Sequence, residues 1–401
     1  MKIIVANLGS TSFKYKLFDM SEDGSYAPIE LAKGSIDRIG SPEDSRVYAR
    51  IGEHELEAFL RIPNHGIAVE QCLAQLMDRE FGCLKSVDEV SGIGFKAVHG
   101  GDLSGVQTVT EEVLAQMQSV ADIAPAHNPP YIAAMRQLKE KFPAIPLVAA
   151  FETGFHANIP EANRTYAVPN EWAQEWHIRK FGFHGASHRF ISWRTPELTG
   201  IENPRIISCH LGGSSSVCAI QNGWSVGSSM GASPQGGLPQ NNRVGDFDCF
   251  LLPVLCKRLG KSLEEVLTIL GKQGGLLGIS GVSTDIRDIL AAADSGNHRA
   301  QLALDVLVQD IRRYMGGYLV QMAGTDALVF TGGIGEYQPA IRSGVCRNLE
   351  CFGMKLDQEK NEAAKGVEAR ISTDDSAVQI WVIPTNEELV VATQTLNQLR
   401  G

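Results

Sequence analysis

Short apolar runs that end at clusters of Gly, Ser and Thr alternate along this chain with longer stretches of helical spacing. Ile3-Ile4-Val5-Ala6 is apolar at consecutive positions, as in a strand buried on both faces, and Asn7-Leu8-Gly9-Ser10-Thr11-Ser12 reads as the turn after it. Phe13, Tyr15 and Leu17 then alternate with Lys14 and Lys16, the period of a second strand. A similar unit recurs about half a chain later. Ile206-Ile207-Ser208-Cys209 leads into His210-Leu211-Gly212-Gly213-Ser214-Ser215-Ser216, then Val217-Cys218-Ala219-Ile220, closed by Asn222-Gly223. The echo suggests a duplicated strand-hairpin-strand core.

Between these units the periodicity predicts helices over 66–80, 111–120 and 130–142, the last with Pro130 in its first turn. A strand over 145–151 delivers Glu152 at its end. In the second half, 262–270, 287–293 and 298–323 have amphipathic helical spacing. A strand over 327–330 runs into Thr331-Gly332-Gly333-Ile334-Gly335, and a strand over 377–384 precedes a last helix from about Glu387. The pattern is mixed α/β without a low-complexity tract.

Composition narrows the function classes. With 401 residues, 43% of them hydrophobic, the chain can bury two ordinary cores. A formal charge of −10 argues against nucleic acid or an anionic membrane as the main partner, while leaving room for a local basic pocket. The eight cysteines form no C-x-x-C pair, the pattern of reduced thiols in a cytoplasmic protein. The apolar start is far shorter than a signal-peptide core or a membrane span, so a soluble cytoplasmic protein is expected.

Three glycine-rich turns, at Asn7–Ser12, His210–Ser216 and Gly332–Gly335, each follow a short strand. Glycine lets backbone N–H groups approach phosphate oxygens, and Ser/Thr hydroxyls add donors. None is a Walker loop or a G-x-G-x-x-G fingerprint, which argues against P-loop and Rossmann architectures. His99, His127, His156, His184 and His210 lie in Gly- or Pro-flanked contexts; most such histidines are structural, and no pair has zinc spacing. Lys14, Lys96 and Arg243 are the basic candidates for phosphate, and Glu152 and Asp246 the acidic ones.

Taken together, the blocks resemble the acetate/propionate kinase family along the whole chain. The matching stretches include Asn7-Leu8-Gly9-Ser10-Thr11-Ser12-Phe13-Lys14, Val98-His99-Gly100-Gly101, Ala124-Pro125-Ala126-His127-Asn128-Pro129 and Phe151-Glu152-Thr153-Gly154-Phe155-His156. Phe181-Gly182-Phe183-His184-Gly185-Ala186-Ser187-His188, Asp285-Ile286-Arg287, Phe330-Thr331-Gly332-Gly333-Ile334-Gly335-Glu336 and Pro384-Thr385-Asn386-Glu387-Glu388 follow in order. The resemblance implies two duplicated α/β domains of the acetate kinase/sugar kinase/Hsp70/actin (ribonuclease H-like) superfold, with nucleotide in the cleft between them. It implies a first domain over 1–150 closed by 385–401, and a nucleotide-binding and dimerisation domain over 151–384. The activity implied is ATP-dependent phosphorylation of acetate, propionate or a relative, reversible with ATP formation from ADP, by a homodimer. Asn7 and Glu387 are expected to hold Mg²⁺, with Mn²⁺ as an alternative, and Lys14 to lie in the nucleotide-phosphate region. His210, Leu211, Gly212, Gly213, Ser214, Asp285, Ile286, Arg287, Gly333, Ile334, Gly335, Glu336 and Tyr337 match the nucleotide-binding stretches. His184 and Arg243 match transition-state groups, Lys96 a substrate-binding arginine, and Glu152 the active-site aspartate. A carboxylate nucleophile is already ionised near neutral pH, so Glu152 is read as positioning or metal-organising rather than as an obligatory base.

The departures from the family cluster among these residues. Lys96 stands for an arginine, Glu152 for an aspartate, and Gly213 and Tyr337 each for an asparagine; the loop from Pro234 to Asp246 keeps only the arginine, glycine and aspartate of its pattern. Lysine cannot grip a carboxylate bidentately, and glutamate reaches about one C–C bond further than aspartate. Two accounts follow: compensation that re-tunes the pocket for another acyl group, or drift in a pocket that still takes acetate or propionate. The rival functional readings are a catalytically weak, nucleotide-responsive regulatory protein and a kinase with another acceptor or phosphoryl donor.

Overall fold

The computed structural model describes residues 1–9, 11–20, 28–122 and 128–401, so His127 and Ser10 of the matching blocks lie outside the described residues. The chain divides into two compact units, Met1–Gly154 with Asn386–Gly401, and Phe155–Thr385.

The first unit is built on an eight-stranded sheet. Its strands are β1 (Lys2–Leu8), β2 (Ser12–Asp19), β3 (Ile29–Asp37), β4 (Ser45–Ile51), β5 (His54–Leu60), β6 (Val90–Ala97), β7 (Val106–Thr108) and β8 (Leu147–Phe151), in the order β5-β4-β3-β2-β1-β6-β8-β7. Alternation along β1 sends Ile4, Ala6 and Leu8 into a core with the helices His65–Leu76 and Asn128–Lys141. Ile3 and Val5 go to the other face, against Val391, Ala392 and Leu396 of the terminal helix Glu387–Arg400. That helix lies close on β6 because the strand carries glycines. A Cβ at Gly94 would come within 2.1 Å of Thr395 Oγ1, and one at Gly92 within 2.8 Å of Leu399.

The second unit repeats the arrangement with β9 (Ile206–Leu211), β10 (Ser215–Gln221), β11 (Trp224–Ser228), β12 (Ala327–Thr331), β13 (Ala369–Arg370) and β14 (Gln379–Val382), in the order β11-β10-β9-β12-β14-β13. The helix His298–Gln321 lays Ala300, Ala303, Leu304, Leu307, Ile311 and Met315 on one side of this sheet, at helical spacing. The helix Gly185–Thr199 contributes Ile191 to the other side. In both units the central strand pairs antiparallel with the next in sequence and parallel with a later one. The series β3-β2-β1-β6-β8 has the same order and sense as β11-β10-β9-β12-β14. The mid-chain echo in the sequence is therefore a repeated five-stranded core.

Three local expectations change. Asn7 and His210 are strand residues of β1 and β9, not turn residues. The third glycine stretch is a short helix, Gly332–Tyr337, starting directly at the end of β12. Gly332 makes this junction with φ of 75°, where a Cβ would meet the Leu211 carbonyl oxygen at 2.7 Å. The helix expected from Pro130 begins two residues earlier, at Asn128, whose side chain donates to the carbonyls of His99 and Met117.

The short helix is clamped from below by Arg342, a fully buried guanidinium. It donates to the carbonyls of Gly335 (2.7 Å), Glu336 (3.0 Å), Asn361 (2.6 Å) and Ala364 (2.8 Å), and to Asn361 Oδ1 (2.7 Å). Burial draws its pKa down to about 10, still charged at neutral pH. Removing it strands several buried acceptors. Arg342→Ala should therefore lower unfolding stability by about 3 kcal/mol, read from urea transitions. An unchanged midpoint would mean those carbonyls find water at no cost.

Candidate functional site

Ligands of open α/β sheets gather at the carboxyl ends of parallel strands, and both units carry their polar side chains there. In the first, β1, β6 and β8 run parallel, with Ala6 beside Phe95 and Lys96 beside Ala150. This register puts Asn7 and Lys96 side by side near the strand ends, and Glu152, which opens the short helical turn directly after β8, lies close enough for its carboxylate to act on Lys96. The terminal helix brings its first residue, Glu387, against them, and Lys96 Nζ donates to the Glu387 carboxylate. Burial alone would push the Lys96 ammonium down; the Glu387 and Glu152 carboxylates outweigh it and hold the group well above the ordinary lysine range. Tyr131, which the sequence reading did not single out, joins the group. Its hydroxyl accepts from the Leu8 N–H at 2.9 Å, and its charge environment includes Lys96, Glu152 and Glu387. Lys14 stands opposite Asn7 on β2 with its side chain exposed. Gly9 closes the first glycine turn by donating to the Ser12 carbonyl (2.8 Å), and His65 Nε2 lies 2.8 Å from the Gly9 carbonyl.

In the second unit the candidates form a cluster of histidines and serines. His184 takes a left-handed backbone conformation (φ 56°, ψ 32°) and caps the helix Gly185–Thr199, so its ring turns back onto β9 and β10. It stacks on His210 with ring centroids 4.2 Å apart, and its Nδ1 lies 2.8 Å from Ser216 Oγ. His210 Nδ1 in turn meets Ser187 Oγ at 2.8 Å. Arg243 Nη1 donates to Gln240 Oε1 (3.1 Å) and, at longer range, to Ser214 Oγ and the Pro234 carbonyl (3.4 Å each). Gln240 is buried and anchors itself by donating to Pro234 O at 2.7 Å. Asp246 braces the same loop, accepting from the Gly237 N–H (2.8 Å) and from Tyr314 and Arg313 of the long helix (2.7 and 2.9 Å).

The other nucleotide-stretch residues divide. Gly212, Gly213 and Ser214 form the β9–β10 turn, held to the arginine loop by Asn241 N–H donating to Gly213 O at 3.3 Å. The side chains of Leu211, Ile286 and Ile334 belong to the hydrophobic core, which leaves only their backbone for a ligand. Asp285 caps the helix Ile286–Asp294 and pairs with Arg287; hydrogen bonds from the Arg287 side chain and backbone N–H pull its pKa to about 2. Glu336 turns its carboxylate to the backbone, accepting from Gly332 N–H (2.9 Å) and Thr385 N–H (3.4 Å). Gly333 is open, Gly335 lies against Phe330, and Tyr337 is half exposed with its ring over Gly366.

Among the remaining histidines, His99 accepts from Gly101 N–H through Nδ1 (3.0 Å), and His156 lies between Ser225 and the Phe183 carbonyl, both at 2.8 Å. Both are buried. His188, which the sequence reading did not single out, sits in the first turn of the helix that His184 caps, with ring centroids 6.4 Å apart.

The Acetokinase family model matches residues 2–393. The chain is 43% identical over 400 residues to an acetate kinase of Dictyoglomus thermophilum, covering 99% of this chain and 98% of that one. It is 40% identical over 398 residues to an acetate kinase of Bacillus cereus, with 98% of each covered. Among solved structures it is similar to the acetate kinase of Porphyromonas gingivalis (TM-score 0.91, 36% identity) and to a propionate kinase of Francisella tularensis (TM-score 0.89, 32% identity), each with 99% of both chains covered.

The Lys96 pair has a measurable signature. Lys96→Met would leave two part-buried carboxylates without their cation and should cost about 3 kcal/mol at neutral pH. A raised lysine pKa gives stability that is fully present below the ordinary value of 10.5 and fades only above it. The gap between wild type and variant should therefore stay constant from about pH 7 to about pH 10. A gap that closes before pH 10 would mean that burial, not the carboxylates, governs this amine.

Proposed function

This chain belongs to the acetokinase family, and we propose that its two polar clusters divide the work of one phosphoryl transfer. The reaction is ATP-dependent phosphorylation of a short-chain carboxylate to an acyl phosphate, reversible with ATP formation from ADP. The observation that carries the division is its sign. The first unit gathers one ammonium and two carboxylates, Lys96, Glu152 and Glu387, whereas the second gathers a guanidinium, serine hydroxyls and histidine rings without a carboxylate among them.

In this reading Lys96 orients the substrate carboxylate. An ammonium has three N–H donors, and the bond to Glu387 uses one of them. Glu152, buried and coupled electrostatically to Lys96, positions that ammonium rather than taking a proton, because the nucleophile is already an anion. Asn7 and Glu387 offer an amide oxygen and a carboxylate, the hard donors Mg²⁺ prefers, and Mn²⁺ would accept the same set. Two protein oxygens suit an ion that completes its shell with water and phosphate oxygens. Among the described residues no group of three His, Cys, Asp or Glu side chains gathers for a cation held by protein alone. Bound there, the ion supplies charge neutralisation for the nucleotide phosphates. The Gly212–Ser214 turn, the open backbone at Gly333 and the exposed Lys14 serve the nucleotide, with Asp285, Arg287, Glu336 and Tyr337 shaping its surroundings. Arg243 and His184 act on the equatorial oxygens of the moving phosphoryl group, where charge develops.

The test is a panel of short carboxylates with Mg-ATP, trapping acyl phosphate as the hydroxamate. Acetate, propionate or a close relative should give product. Glu387→Ala should remove most of the rate, and Arg243→Ala should lower kcat by about 10²–10³ with a smaller change in KM. Nucleotide binding with no hydroxamate from any carboxylate would favour a regulatory protein instead.

We further propose a cytoplasmic homodimer. Among the described residues no helix is long and apolar enough to cross a membrane. The segment through the helices Leu252–Leu259 and Leu263–Lys272 leaves Phe250, Leu251, Val254, Leu259, Leu263 and Leu267 exposed, Phe250 at 84%. A contiguous apolar face of this kind is suited to a second copy of the chain. Phe250→Asp with Leu263→Lys should reduce the mass in light scattering from two chains to one while leaving the far-UV circular dichroism unchanged. A wild type that is monomeric at micromolar concentration would overturn the assignment.

A further inference from the structure

Behind His184 lies a chain of hydrogen bonds that the reaction itself does not use. Ser208 Oγ lies 2.9 Å from Nδ1 of His188, Nε2 of His188 lies 2.8 Å from Ser216 Oγ, and Ser216 Oγ lies 2.8 Å from Nδ1 of His184. Ser208, His188 and Ser216 are fully buried, whereas His184 is partly exposed. The serines come from adjacent strands, β9 and β10, His188 from the first turn of the helix Gly185–Thr199, and His184 from the left-handed residue that caps it.

Burial, with His156 and His210 nearby, pushes His188 well below the ordinary histidine range, so it is neutral and carries one ring N–H. Each serine has one hydroxyl proton. Three arrangements then satisfy every link, because a hydroxyl oxygen can accept twice. In one, His188 donates from Nε2 to Ser216, and Ser216 donates to Nδ1 of His184, which holds its own proton on Nε2. In the second, His188 donates from Nδ1 to Ser208, Ser216 donates to Nε2 of His188, and Nδ1–H of His184 donates to Ser216. In the third, His188 keeps its proton on Nε2 and Ser216 accepts from both rings without donating to either. A cationic His184 has a proton on Nδ1 and fits the second and the third, of which only the second lets Ser216 donate within the chain and only the second moves the His188 proton.

We propose that Ser208, His188 and Ser216 form a tautomer relay that lets His184 become cationic while the core behind it stays neutral. The protons balance. His184 gains one proton from solvent, each serine keeps its hydroxyl proton, and His188 exchanges a proton on Nε2 for one on Nδ1. All three are positioning residues, and the proposal rests on the reading that His184 acts on the moving phosphoryl group. The other titratable rings facing this chain are His210, stacked on His184, and His156, edge-on to His188 at 5.9 Å. His156 is pushed down to about 4 by burial, and its own nitrogens are engaged with Ser225 and Phe183.

The relay is readable in the wild-type protein with ¹⁵N-labelled histidine. As His184 titrates, His188 should switch its protonated nitrogen from Nε2 to Nδ1 without gaining charge. A His188 tautomer that stays fixed through the His184 titration overturns the proposal. Ser208→Ala, two groups away from His184, removes the acceptor that the second arrangement needs. It should lower the apparent pKa of His184 by about half to one unit. The alkaline limb of the kcat profile should move down equally, and Ser208→Thr should restore both. If Ser208→Ala folds and leaves the His184 titration in place, the relay fails. If the titration moves and the kcat profile does not, the relay stands and the catalytic reading of His184 fails.

Discussion

The first polar cluster depends on the terminal helix lying directly on β6. Lys96 and Glu387 are nearly three hundred positions apart in sequence, and nothing local draws them together. What does is the absence of side chains at Gly92 and Gly94, which lets Thr395 and Leu399 sit against the strand backbone. A methyl group at Gly94 would lift the helix, and with it Glu387 at its first turn. Such a displacement would separate the ion pair and leave two part-buried charges unmatched, a greater loss than the local steric clash. The chemistry at the strand ends is thus underwritten by packing about two helical turns away. Asn386 fixes the start of the same helix by accepting from Leu389 N–H at 3.2 Å.

The two units share a strand order but use their equivalent positions differently. Asn7 in β1 corresponds to His210 in β9, because each is the next-to-last residue of the central strand before its hairpin. In the first unit the neighbouring parallel strand adds Lys96, and the result is a charged group. In the second it adds Thr331, opposite His210, and the side chains around it are serines and histidines. Neutral groups can be buried at little cost when each hydrogen bond is made, and the Ser–His chain makes them pairwise. Charges need compensation, and Lys96 receives it from two carboxylates.

Much of this was legible from the sequence. The consecutive apolar residues of β1 and β9, the alternation of β2 and the repeated strand-turn-strand unit gave the central strands and their duplication. Motif blocks gave most of the candidate site, because glycine turns and the residues flanking them are local. The sequence was less informative where the answer is set by distant partners. The strands β3 to β5 pack on one face or neither, and β5 has no buried residue, so their apolar signal is thin. Glu336 looks like a ligand-facing carboxylate until the backbone N–H groups of Gly332 and Thr385 claim it. Leu211, Ile286 and Ile334 sit inside matching stretches yet point into the core, since a short stretch cannot say which alternate residues face a ligand. Tyr131 and Ser208 carry no motif at all; only the tertiary arrangement brings them to the site.

The substitutions that set Lys96 and Glu152 apart from the family pattern make sense as a pair. A guidinium spreads its charge over a planar fork, whereas an ammonium is a compact charge that can turn its donors toward several acceptors. Lys96 uses that freedom by bonding Glu387 while sharing the field of Glu152. The longer Glu152 reaches back toward a cation that is itself more retracted than a guanidinium would be. With both carboxylates ionised, the group carries one more negative charge than positive. An isolated buried excess of that kind would be costly, but it is the charge a divalent ion at Asn7 and Glu387 would offset. Changing either residue alone would leave the balance of charge intact but move its centre relative to Glu387, so the two substitutions act on one charged group.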